Sequence, residues 1–131
     1  MRLFWLVLVG LLLCGCGGSS ASITSISPYA GTWNGTWVNV NDSSDAGTSV
    51  WRIDGNGFVD GHDFDPGRTT TFHVIGNITN SGALTTNSTP IGGSAATLNG
   101  PLTFTASNQV GGILLWGVTP VLSYQYNFTR S

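Results

Sequence analysis

The sequence predicts an all-β fold, an antiparallel meander of about eight strands closing into a small up-and-down barrel. Three observations carry this. Beyond Pro28, strong helix formers are scarce, and Thr, Val, Ile, Trp, Phe and Tyr alternate with polar residues. The last stretch sets Leu122, Tyr124, Tyr126 and Phe128 on one face and Ser123, Gln125, Asn127 and Thr129 on the other, the period of a half-buried strand. Short turn signals separate the apolar runs, so neighbouring strands are expected to be antiparallel.

Read in order, strands are expected at 31–40, 48–54, 57–64, 69–79, 83–88, 94–99, 101–107, 111–118 and 121–130. Two of the short segments can equally form one strand with a bulge. The turns fall at Asp54-Gly55-Asn56-Gly57, Asp65-Pro66-Gly67, Asn80-Ser81-Gly82 and Asn99-Gly100-Pro101. A meander with one apolar face removes its exposed edges by closing into a barrel, with a two-sheet sandwich as the alternative.

Composition narrows the classes of function. The chain has 131 residues, one domain's worth, with no Lys or Glu and only 8% charged residues. A nucleic-acid surface needs clustered Lys and Arg to track phosphates, and none is present. Five Trp, six Phe and three Tyr argue against disorder, so Ser, Thr, Asn and Gly must solvate the surface.

The N-terminus reads as an export signal. Arg2 precedes the apolar run Leu3–Leu13, which is too short to span a bilayer as a helix. Leu13-Cys14-Gly15-Cys16 then resembles the bacterial lipobox, with Leu13 at −3, Gly15 at −1 and Cys16 as the lipid-accepting residue. Cleavage there leaves one cysteine and no intramolecular disulfide. The resemblance implies residues 1–15 as signal peptide, 16–27 as lipidated Cys16 and flexible tether, and 28–131 as the all-β domain. It also implies a membrane partner through the lipid and a place in the bacterial cell envelope. By resemblance to Gram-negative sorting signals, Gly17 in place of Asp after the cysteine implies the outer membrane if the cell is Gram-negative.

The strand Gly31-Thr32-Trp33-Asn34-Gly35-Thr36-Trp37 resembles the Gly-x-Trp opening of the calycin barrels, the lipocalins and avidins. The resemblance implies that Trp33 plugs one end of the barrel and that Arg130, closing the last strand, packs on it. The spaced Trp, Ser and Asp positions of a biotin site are not found, so only the architecture carries over.

Three kinds of chemistry have candidate residues. Asp54–Asp65 is rich in oxygen ligands, but Phe58 stands at the fifth position of a calcium loop, and turn formation explains its Asp and Asn residues. A transition-metal site would draw on His62, His73, Asp63 and Asp65, provided that His62 and His73 meet across a hairpin. For catalysis, no Ser sits in a Gly-x-Ser-x-Gly turn, and the six Asp lie within residues 42–65, where turns account for them. The expectation is a protein that is not an enzyme and needs no cofactor.

The leading reading is therefore a lipid-anchored envelope barrel with a structural or binding role. Trp37, Trp51, Phe72, Tyr124, Tyr126 and Phe128 line its interior with Trp33. They either fill it or leave a pocket for a small apolar or aromatic ligand. An envelope protein is the other candidate partner. An integral outer-membrane barrel needs roughly 9–11 residues per strand with an outward apolar band, and several segments are shorter.

Overall fold

The computed structural model describes residues 24–117 and 119–131. The leader and Cys16 lie outside them. The strands are β1 (Gly31–Asn39), β2 (Asp42–Ile53), β3 (Phe58–Asp65), β4 (Thr70–Ile78), β5 (Ala83–Pro90), β6 (Ala96–Pro101), β7 (Thr103–Ala106), β8 (Gln109–Trp116) and β9 (Leu122–Arg130). Every pairing is antiparallel, in the order β6-β5-β4-β3-β2-β1-β9-β8-β7, and β6 also pairs with β8. That last pairing closes the sheet on itself. The fold is a barrel and not a sandwich.

The short segments β6 and β7 act as one strand. Leu98 opposes Trp116 and Thr103 opposes Gly111, which is the same register against β8 on both sides of Leu102. Below Leu102 the strand leaves β5, because the Thr79–Gly82 turn has already ended that neighbour. Eight staves thus form the ring.

Alternation decides which side chains enter. In β3, Val59, Gly61, Asp63 and Asp65 are buried, while Phe58, Asp60, His62 and Phe64 are exposed. In β9, Tyr124, Tyr126 and Phe128 point inward. Room for so many rings comes from glycines on the inner face of the wall. A Cβ on Gly61 would overlap the Trp51 indole, and one on Gly47 would overlap that of Trp37. Overpacking of this kind is destabilising, so these positions stay bare.

One departure from the sequence reading is the start of β2. Residues 42–47 extend the strand, although Asp42-Ser43-Ser44-Asp45-Ala46-Gly47 shows no apolar alternation. Backbone pairing with β1, Val38 opposite Ala46 and Trp37 opposite Gly47, holds them in the sheet instead.

The two ends differ. At one end the incoming chain crosses the opening: the Ser27 amide donates to Gly55 O at 2.8 Å, and the Tyr29 hydroxyl donates to Leu102 O at 2.9 Å. Tyr29 stacks on Phe104 with ring centroids 4.8 Å apart, and the Trp33 indole N–H donates to Tyr29 O at 2.7 Å. The other end, framed by the turns 40–41, 66–69 and 91–95 and the residues around Pro120, has no such cover among the described residues.

Candidate functional site

The closed half of the interior is packed. Trp33, Trp51, Ile53, Val59, Leu102, Val110 and Phe128 are all buried there. Trp51 and Phe128 lie with ring centroids 4.7 Å apart. Arg130 directly opposes Trp33 in the β1–β9 ladder, with its guanidinium carbon 4.5 Å from the indole centroid. Its Nη2 also donates to Pro28 O at 2.5 Å, tying the last strand to the incoming chain.

A polar layer sits above this core. The Asp63 carboxyl is buried and collects three donors. The Ser49 hydroxyl and the Trp51 indole N–H reach Oδ1 at 2.6 and 2.8 Å, and the Tyr126 hydroxyl reaches Oδ2 at 2.6 Å. Burial pushes the Asp63 carboxyl above the usual carboxylate range, against the pull of those hydrogen bonds. Burial also drives the Tyr126 phenol well above its ordinary value, with the neighbouring Asp63 adding to the shift.

Towards the mouth the walls no longer meet. A cleft opens there, lined by Trp37 from β1, Asp63 from β3, Phe72 from β4, Trp116 from β8, and Tyr124 and Tyr126 from β9, with Arg68, Ser88 and Leu98. The centre of a water-sized molecule has about 30 Å³ to occupy in it. Drug-sized guests fill pockets of about 300–1,000 Å³. The cleft therefore has room for a small head group only.

Arg68, in the β3–β4 turn, stands at the lip. Its Nη1 lies 2.9 Å from Asp65 Oδ2 and 3.9 Å from Asp45 Oδ1. Asp45 Oδ2 in turn accepts from the Tyr124 hydroxyl and the Asn39 amide, each at 3.0 Å. Burial, with Asp45 contributing, raises the Tyr124 phenol to about 12. Beside the cleft, the indole N–H groups of Trp37 and Trp116 are buried and have no acceptor among the described residues. A buried donor left unpaired costs about 1–3 kcal/mol.

The residues expected to line a pocket thus separate into two sets. Trp37, Phe72, Tyr124 and Tyr126 border the cleft, whereas Trp51 and Phe128 belong to the packed half and do not. The metal grouping is corrected. His62 and His73 are direct partners across the β3–β4 hairpin, with rings stacked at 4.9 Å, but they lie on the outer wall. Asp63 is one residue from His62 and so points to the opposite face. His73 Nε2 pairs instead with Asp60 Oδ1 at 2.8 Å. No group of three metal-ligating side chains comes together among the described residues. The acidic residues are corrected as well. Asp54 does serve its turn, accepting from the Asn56 and Phe58 amides at 2.8 and 2.9 Å. Asp65, though buried, serves its turn too, its Oδ1 accepting from the Arg68 amide at 3.1 Å, whereas Asp63 is buried in the barrel and serves none. Their parity with Val59 was the available signal, and Trp116 shared parity with Leu114 in the same way.

No protein-family model and no curated protein matches this chain. Among solved structures it is similar to a de novo designed fluorescence-activating β-barrel, with a TM-score of 0.58 at 10% identity. The alignment covers 83% of this chain and 99% of the designed one. At that identity the likeness is one of fold.

Proposed function

We propose that this protein is a lipid-anchored barrel of the bacterial envelope that holds a small apolar or aromatic guest in the mouth of its interior, without catalysing a reaction. The carrying observation is the split interior. One half is packed, while the other leaves a cleft between Trp37, Phe72, Trp116 and Tyr124, where two buried indole N–H groups have no acceptor among the described residues and a guest that carries an oxygen can supply one. A barrel serving only as a scaffold has no use for that arrangement, since filling the cleft adds stability.

Anchoring is supported by Cys16 in its lipobox. Residues 27–30 run across the closed end, so a tether from Cys16 reaches the barrel there and the mouth lies at the far end. The outer wall favours an aqueous setting over an integral membrane barrel. Thr32, Asn34, Asp60, His62, His73, Asn87 and Asn127 face out beside Val50, Phe64, Ile75, Ile113 and Leu115, so the outward face is mixed, whereas a membrane barrel turns an apolar band outward.

Two experiments test the reading. Intact-mass spectrometry of protein extracted from native membranes is expected to give residues 16–131 plus a diacyl- or triacylglyceryl adduct. An unmodified mass removes the anchor. Calorimetric titration with 3,3-dimethylbutanol, a compact apolar guest, is expected to show saturable binding weakened by Trp116→Leu. No binding by it or by any guest of that size removes the pocket.

A further inference from the structure

We infer that the mouth cleft recognises its guest by an uncharged hydrogen-bond-accepting oxygen that carries no proton, the carbonyl of a small ketone or ester. This rests on the binding reading above and adds the chemistry of the guest's polar group.

The tryptophans of the described residues divide in step with the interior. In the closed half the Trp33 indole N–H donates to Tyr29 O at 2.7 Å, and that of Trp51 donates to Asp63 Oδ1 at 2.8 Å. At the cleft the indole N–H groups of Trp37 and Trp116 are buried and have no acceptor among the described residues. Both rings pack against Tyr124, with centroids 5.4 and 6.4 Å from it, so the two indoles belong to one part of the mouth. Arg68 borders the cleft as well, and a guanidinium only donates.

The acceptors nearby are engaged. Asp63 offers about four acceptor positions, three of them filled by Ser49, Trp51 and Tyr126. Burial raises its pKa, and a proton that it binds occupies the position that remains. Asp45 Oδ2 accepts from Tyr124 and Asn39, and Asp65 Oδ2 from Arg68. The exception is Ser88, which borders the cleft with a hydroxyl able to donate or accept. A guest that brings an acceptor thus meets donors in excess, whereas one that brings a donor meets a single two-way hydroxyl. A carbonyl oxygen has two lone pairs and no proton, so it can take one indole or both. A carboxylate also accepts, but its charge goes unmatched. Arg68 is already paired with Asp65 at 2.9 Å and lies 3.9 Å from Asp45.

Calorimetry with cyclopentanone and cyclopentanol, which share one carbon ring, tests this on the chain from Cys16 onward carrying Cys16→Ser, which contains the whole closed barrel. The ketone is expected to bind about fivefold more tightly than the alcohol, the worth of one ordinary hydrogen bond. Cyclopentanecarboxylate is expected to bind more weakly than the ketone. At least one of Trp37→Phe and Trp116→Phe, each of which removes one donor, is expected to bring the ketone and alcohol affinities together. Phe72→Leu alters the wall without touching a donor, so it is expected to weaken both guests alike and keep their ratio. If neither tryptophan variant folds by circular dichroism, the indole proton resonances of the parent decide, with Trp37 or Trp116 moving further downfield for the ketone than for the alcohol. Equal affinities, tighter carboxylate binding, an unchanged ratio in both tryptophan variants, or no such downfield difference overturns the inference, while binding of 3,3-dimethylbutanol leaves the pocket in place. Binding of none of these guests, 3,3-dimethylbutanol included, overturns both.

Discussion

The Tyr126 hydroxyl donates to Asp63 Oδ2 at 2.6 Å, and this bond crosses the barrel. Tyr126 belongs to β9 and Asp63 to β3, strands that do not pair in the sheet. With Ser49 and Trp51 on the other carboxyl oxygen, it makes a polar diaphragm between the packed half and the open half. Buried polar groups on this scale are tolerated only when their hydrogen bonds are made, which fixes the register of three separate strands at once.

Asp63 gives the fold a pH dependence of unusual sign for a carboxylate. Its folded pKa is raised above the ordinary 3.8, mainly by burial. The folded state therefore holds this proton more tightly than the unfolded chain does. The stabilising contribution is full below about pH 3.8 and is lost as pH rises through the raised value. Asp63→Asn keeps the shape and can accept from Ser49 and Trp51 while its amide faces Tyr126. Denaturant unfolding across this range is expected to show a shallower loss of stability with rising pH in the variant than in the parent.

The two mouth tyrosines set an alkaline limit in the same sense. Tyr124 is pushed up to about 12, and Tyr126 lies well above the ordinary 10.0. Their contribution is full below pH 10, where unfolded phenols remain protonated, and falls as pH rises above it. Ultraviolet titration of phenolate is expected to show Tyr126 ionising only together with unfolding, whereas Tyr29, whose phenol is also raised by burial, reports on the closed end.

The bare inner-wall positions are testable individually. A Cβ at Gly61 meets the Trp51 ring and backbone, whereas one at Gly55, in the β2–β3 turn, meets only the tip of Ile26 at 3.6 Å. Gly61→Ala is expected to destabilise the barrel by about 1–3 kcal/mol in urea unfolding, as overpacking does. Gly55→Ala is expected to stay within about 0.5 kcal/mol of the parent.

Arg130 ties the last strand to the first. Arg130→Leu removes the guanidinium over Trp33 and the bond to Pro28 O. The expected loss is about 1–2 kcal/mol, with hydrogen-exchange protection falling first at residues 27–33 and not at the mouth.

Much of this architecture was legible in the sequence, for identifiable reasons. Leu122, Tyr124, Tyr126 and Phe128 alternate without interruption, so β9 and its inward face follow from period two alone. The Gly-x-Trp opening and the terminal arginine pointed to Trp33 and Arg130, which lie opposite each other in the ladder. The site was harder to read. Asp63 sat in a run of Asp and Gly residues that resembles a turn, and only its parity with Val59 marks it as interior. The early half of β2 is held by backbone pairing and not by side-chain pattern, so no alternation marks it. Which rings fill the closed half and which border the cleft depends on how strands are staggered around the barrel. A single strand's sequence does not encode that.

The four tryptophans of the described domain test most directly whether the mouth half alone is a binding cleft. Two indole N–H groups are engaged, Trp33 with Tyr29 O and Trp51 with Asp63, while those of Trp37 and Trp116 have no acceptor among the described residues. Proton–nitrogen correlation spectra resolve each indole separately during titration with 3,3-dimethylbutanol. Saturable shifts are expected at Trp37 and Trp116, a smaller one at Trp51 through Asp63, and none at Trp33. Uniform shifts at all four, or no shift at Trp37 and Trp116 up to the solubility of the guest, would contradict a cleft confined to the mouth.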